Sequence, residues 1–164
     1  FQVSTFHIPS REDIRQSATG AGYRTAIAGK WQLNGLYNKL PGYDDVTRPN
    51  QAGFDEYCLW QLTKEKKESE RFWEPLLEQN GQVLSKDRNK GKYGPDILSD
   101  FLCDFIRKNK EKPFFVYLSH KAVHANFTPA KRHAGQYREK AWDPPASMAN
   151  NETNYRGKPR WLKD

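Results

Sequence analysis

The chain has 164 residues and carries 27 Lys and Arg against 20 Asp and Glu, a net charge of +7. Apolar side chains make up 36% and aromatics 13%, enough bulk for the core of one domain or of part of a larger one. No apolar run approaches the ~20 residues that cross a bilayer. The opening FQVSTFHIPS lacks a basic-then-apolar leader and reads as the interior of a longer protein.

Residues 10–20 (SREDIRQSATG) have the marks of a helix, with Ser10 as N-cap, acids in the first turn and Gly20 as a stop. Tyr23 to Ala28 reads as a short strand. Gly29 then turns the chain and sets Lys30, Trp31 and Gln32 at the strand end. From Asn34 to Asn50 turn signals dominate, and Asp44 and Asp45 read as solvated turn residues. Gly53 to Gln61 (GFDEYCLWQ) is strand-like, and 62–92 is polar surface in which Asn80-Gly81 marks a hairpin tip.

Pro95 to Asn109 is the clearest helix. Ile97, Leu98, Phe101, Leu102, Phe105 and Ile106 form one apolar stripe. Phe114 to Leu118 (FFVYL) follows as a continuous apolar run, expected for a strand covered on both faces. Two helix–strand pairs in succession predict an α/β fold, layered α/β/α, with a largely parallel sheet. Beyond Thr128 long loops are expected, with a short helix near Pro129–Tyr137 at most. Cys58 and Cys103 are too few for a disulfide framework, lack zinc-ligand spacing, and are both expected in the core.

Open α/β sheets bind ligands at the C-terminal ends of their strands. Lys30 and Gln32 stand at one such end; Ser119, His120, Lys121 and His124 stand at another. Lysine offers a point charge and histidine a directed donor, so the cluster suits a tetrahedral anion. Separately, the stretch from Lys131 to Asp164 holds eight Lys and Arg against four acids, with Trp142, Tyr155 and Trp161 interleaved. That suits a polyanion such as a sulfated glycan. No nucleic-acid motif is present, so nucleic acid is not expected as a partner.

Three segments carry a family resemblance. GYRTAIAGKWQLNG (22–35) resembles the GYxTxxxGKWHLG segment of formylglycine-dependent sulfatases, members of the alkaline-phosphatase-like superfamily. GFDEYCLW (53–60) is similar to the GFD segment that follows there, and KPFFVYLSHKAVHANFTP (112–129) to the PFFxYLSxxxPHxP segment. SMANNETNYRGKPRW (147–161) resembles a variable insert. The resemblance implies one partial sulfatase catalytic domain over 1–164, with α/β core elements in 1–130 and a basic, aromatic, loop-rich insert in 131–164. It implies an alkaline-phosphatase-like fold and hydrolysis of sulfate esters in the intact protein, the substrate being a small-molecule ester or a sulfated glycan.

By the same resemblance Lys30 binds the sulfate oxygens, and His124 contacts the ester and assists the leaving oxygen. Gln32 stands where His is commoner and keeps only an amide donor. His120 has no family counterpart and is a substrate-side candidate. The family's calcium ligands and its C/S-x-P-x-R nucleophile motif have no match. HIPSR (7–11) imitates that motif, but His7 lies only 23 residues before Lys30 and cannot become formylglycine. Calcium and formylglycine are therefore expected outside this chain, and no metal ligand within it. A secreted, periplasmic or lysosomal setting is implied, and the oligomeric state is left open.

Two other readings remain: a phosphodiesterase- or phosphatase-type relative, and a non-catalytic polyanion-binding module. Lys30 and His124, 94 residues apart, are expected to face one cleft. Positive groups alone bind a sulfate ester without cleaving it. The 164-residue chain, assayed with a chromogenic aryl sulfate and calcium, is thus expected to show no turnover above the blank.

Overall fold

The computed structural model describes residue 18, residues 20–64, residues 71–159 and residue 161. The helix expected over 10–20 and the HIPSR segment lie outside the described residues, apart from residues 18 and 20. The chain divides into two compact units, Phe1–Thr128 and Pro129–Asp164.

The first unit is built on a five-stranded sheet of β1 (Arg24–Lys30), β2 (Glu56–Trp60), β3 (Leu77–Gln79), β4 (Gln82–Leu84) and β5 (Phe114–Ser119). The strand order is β4-β3-β2-β1-β5. β1 pairs in parallel with both β2 and β5, whereas the β3–β4 hairpin adds two antiparallel pairings. The hairpin turns at Asn80 and Gly81, both at positive φ (47° and 82°), the backbone that an Asn-Gly tip favours.

The central strand runs two residues beyond the expected Ala28, through Gly29 to Lys30. Gly29 extends the strand rather than turning it. Its φ is +127°, and a Cβ there would lie 1.8 Å from the Ser119 carbonyl oxygen. Only glycine lets the two strand ends come this close.

Helix α2 (Gly94–Asn109) covers one face of the sheet. Leu98, Leu102 and Phe105 pack there against Ala26, Ala28, Cys58, Trp60, Leu77 and Leu84. The other face is covered by the irregular stretch between β1 and β2, which contains the short helix α1 (Arg48–Gln51). Ile27, Trp31, Phe54, Tyr57, Leu59 and Leu62 cluster on that side. Asp45 is more than a solvated turn residue. Its carboxylate accepts from the Thr47 N–H (2.8 Å), the Thr47 hydroxyl (2.6 Å) and Gln51 Nε2 (2.8 Å), bonds that hold its pKa below the usual carboxylate range.

Among the described residues β5 is not covered on both faces. Phe114 and Val116 pack toward α2, but Phe115 and Tyr117 are 41% and 52% exposed. Among the described residues β5 stands at one edge of the sheet, and the α2 layer packs on one of its faces. The cysteines also part company. Cys58 is fully buried, which pushes its thiol up to about 12, while Cys103 is exposed on α2. The apolar stripe on α2 passes through Leu102 and Phe105, and Cys103 lies off it.

The second unit holds single 3-10 turns at Lys131–His133 and Ala146–Met148 and the four-residue helix α3 (Glu152–Tyr155). The expected Pro129–Tyr137 helix is reduced to the first of these turns. Asn151 caps α3 by accepting the Asn154 N–H at 3.0 Å, and Tyr137, Trp142 and Trp161 are exposed.

The close approach at Gly29 yields a direct test. Gly29→Ala should destabilise the chain by about 2–4 kcal/mol, from forced overpacking plus positive-φ strain. The loss should appear as a lower urea midpoint.

Candidate active site

Two sequence segments turn out to be structural latches. The Asp55 carboxylate accepts the Thr25 N–H at 2.8 Å and lies 3.6 Å from Arg24 Nε. The Thr25 hydroxyl donates to the Gly53 carbonyl at 2.7 Å. GYRT and GFD thus tie the starting ends of β1 and β2 together. At the finishing end, Trp31 Nε1 donates to Asn34 Oδ1 at 2.7 Å, and Asn34 Nδ2 donates to the Asp45 carbonyl at 2.9 Å. These bonds fix the chain as it leaves β1.

The candidate chemistry gathers where β1, β2 and β5 end. Gly29 pairs with Ser119 and Lys30 with Trp60. Alternation from Ala26 and Ala28 puts Lys30 on the α2 face of the sheet. Lys30 is half-buried, and its ammonium has no hydrogen bond or ion pair among the described residues. Beside it, Lys121 is only 8% exposed, with Nζ 2.7 Å from the centroid of the buried Trp60 ring. A lysine is seldom buried without such compensation, and a desolvated cation–π contact contributes about 2 kcal/mol.

Gln32 and Gln61 follow β1 and β2 with φ of +79° and +59°. Left-handed backbone in non-glycine residues costs about 1 kcal/mol or more each and persists where the surroundings enforce it. Here Gln32 Nε2 donates to Gln61 Oε1 at 3.1 Å, and Gln61 Nε2 donates onward to the Tyr37 hydroxyl. The amide of Gln32 is therefore oriented.

His120 follows Ser119 directly. Its Nδ1 is buried with no hydrogen-bond partner. Burial pulls its pKa below the ordinary histidine range, while Asp96 in the first turn of α2 opposes this. His124 is exposed and meets Arg71, whose Nη1 lies 2.9 Å from His124 Nδ1 and donates to the Ala125 carbonyl at 2.7 Å. The His124 N–H closes a turn onto the Lys121 carbonyl at 3.0 Å.

The structure therefore brings Lys30, Gln32 and His120 to one edge of the sheet, and His124 follows on the same segment as His120. Sequence reasoning gave no role to Arg71, Gln61 or the Lys121–Trp60 stack. Arg71 lies in a mixed-charge run with no positional signal, and Lys121 stood out only as one more cation. No group of three or more His, Cys, Asp or Glu among the described residues gathers to hold a metal ion. The Asp45 carboxylate is engaged by Thr47 and Gln51. The described residues do not fit a calcium centre.

A family model described as Sulfatase matches residues 10–156. The chain belongs to the sulfatase family. It is 30% identical over 129 residues to an N-acetylglucosamine-6-O-sulfatase of Bacteroides thetaiotaomicron, a match covering 78% of this chain and 19% of that protein. It is 26% identical over 136 residues to an uncharacterized sulfatase of Schizosaccharomyces pombe, covering 80% and 24%. The solved structure of BT4656 in complex with its substrate, D-glucosamine-2-N,6-O-disulfate, matches with a TM-score of 0.54 at 28% identity, over 79% of this chain and 22% of that one. The fold is thus that of a sulfatase, in part. The chain spans about a fifth to a quarter of the length of these relatives.

The half-buried His120, whose Nδ1 is shut off from solvent, sets a pH dependence. Its folded pKa lies below the unfolded value of about 6.5. On acidification the unfolded chain therefore binds the proton first, and stability falls. The contribution is fully present above about pH 6.5 and is lost as pH drops through the folded value. Urea midpoints compared at neutral and mildly acidic pH should show this decline, and His120→Gln should flatten it.

Proposed function

We propose that this chain supplies the sulfate-gripping side of a sulfuric-ester hydrolase that acts on sulfated sugars. The observation that carries the reading is Lys30. Its half-buried ammonium stands at the end of the central parallel strand, unpaired among the described residues, beside the Lys121–Trp60 stack. Family membership adds the reaction class, and the named relatives add the sugar.

In this reading Lys30 neutralises the sulfate, a charge-assisted contact that gains strength in a partly water-excluded edge. Gln32 donates from its amide, held in place by Gln61. His124 faces the ester oxygen, and His120 lines the sugar side. Their convergence on one anion rests on the adjacency of β1 and β5. Calcium, a formylglycine nucleophile and a secreted setting accompany the reading as properties of the family. In this reading no described residue serves as metal ligand or nucleophile.

Isothermal titration of the full chain with inorganic sulfate and with N-acetylglucosamine 6-sulfate tests the proposal. Lys30→Ala should weaken binding about tenfold, equivalent to about 1.4 kcal/mol. Replacing Arg156 and Lys158 together should leave it unchanged. The reverse pattern would transfer the binding to the basic second unit and make the chain a polyanion-binding module.

A further inference from the structure

We propose that Arg71 is a positioning residue that fixes the tautomer of His124, leaving the imidazole a donor through Nε2–H alone. The idea deepens the sulfate-gripping reading and rests on it for its functional meaning, though not for its geometry.

The argument begins with one nitrogen. Arg71 Nη1 lies 2.9 Å from His124 Nδ1 and 2.7 Å from the Ala125 carbonyl oxygen. Nη1 carries two hydrogens, so it serves both acceptors at once. A guanidinium has donors only and does not lose its proton in proteins. Its partner at 2.9 Å must therefore be the acceptor, and Nδ1 presents a lone pair. A neutral imidazole has one donor and one acceptor, which leaves the ring's single proton on Nε2. No described residue bonds to Nε2.

The segment that bears this ring is held from two further directions. Lys121 is buried against Trp60, and its carbonyl accepts the His124 N–H at 3.0 Å. The His124 carbonyl in turn accepts the Phe127 N–H at 3.1 Å. Arg71 therefore docks onto a turn whose backbone is already set, and it adds the choice of ring nitrogen that the backbone cannot make.

The chemical consequence concerns what His124 offers an anion. A ring in this tautomer donates a hydrogen bond but has no spare proton to give away. An imidazolium would turn an N–H against Arg71 Nη1. With Gln32 as the other neutral donor, charge neutralisation falls to lysine, and the two uncharged donors supply direction. His124 then offers the ester oxygen a hydrogen bond through Nε2–H, in the orientation that Arg71 sets.

The test is a long-range 1H–15N correlation spectrum of the labelled full chain near neutral pH, with His124 assigned by loss of its signals in His124→Asn. The expected result is a protonated Nε2 and a hydrogen-bonded, unprotonated Nδ1. Arg71→Met should return the Nδ1 signal to that of an unbonded ring nitrogen, and Arg71→Lys should restore part of the shift. A proton on Nδ1, or an Nδ1 signal indifferent to Arg71→Met, overturns the proposal, and the wild-type spectrum alone decides the first point. Inorganic sulfate added to the wild type should perturb the Nε2 signal. If it does not while the tautomer holds, the sulfate-gripping reading fails and the Arg71 assignment stands.

Discussion

The architecture of the candidate site depends on one backbone contact, the approach of Gly29 to the Ser119 carbonyl where two parallel strands end. A side chain at that point would hold β1 and β5 apart. Because none is there, Lys30 and His120 leave the sheet from neighbouring positions, and the turn carrying His124 begins beside the central strand. The glycine of the GKW segment is thus needed for distance. The lysine after it inherits its place from that distance.

The same division of labour runs through the other family segments. Thr25 and Asp55 lock the starting ends of β1 and β2, and Trp31 with Asn34 anchors the exit from β1. Trp60 backs the Lys121 ammonium. Many residues in GYRT, GKW and GFDEYCLW are therefore structural, and within GKW the lysine is the side chain left without a hydrogen bond or ion pair among the described residues. A motif can look like a list of catalytic groups when its main physical content is the geometry that lets one group act.

Much of the fold was legible in the residues. The apolar stripe of α2, the Asn-Gly hairpin tip and the run FFVYL are local signals, and each produced its element. What local reading could not give was each element's neighbours. FFVYL has the composition of a doubly covered strand, yet it lies at the sheet edge, where Phe115 and Tyr117 keep solvent contact. Asp45 read as a solvated turn residue because its partners, Thr47 and Gln51, meet it only once α1 has formed. For the site, strand ends and residue type singled out Lys30, His120, Lys121 and His124, and the family resemblance added Gln32. Arg71 was illegible for a simple reason: its role is set by a contact across 53 residues, and nothing within its own charged run announces it.

The parting of the two cysteines has a practical side. Cys103 offers its sulfur to any reagent in the surrounding water, whereas Cys58 lies in the middle of β2 behind α2, its thiolate suppressed by burial. A reagent that consumes thiolates reaches the second sulfur only after the helix lifts from the sheet. The chain therefore carries its own reporter of that excursion, one label taken at once and one released at the rate at which the core comes apart.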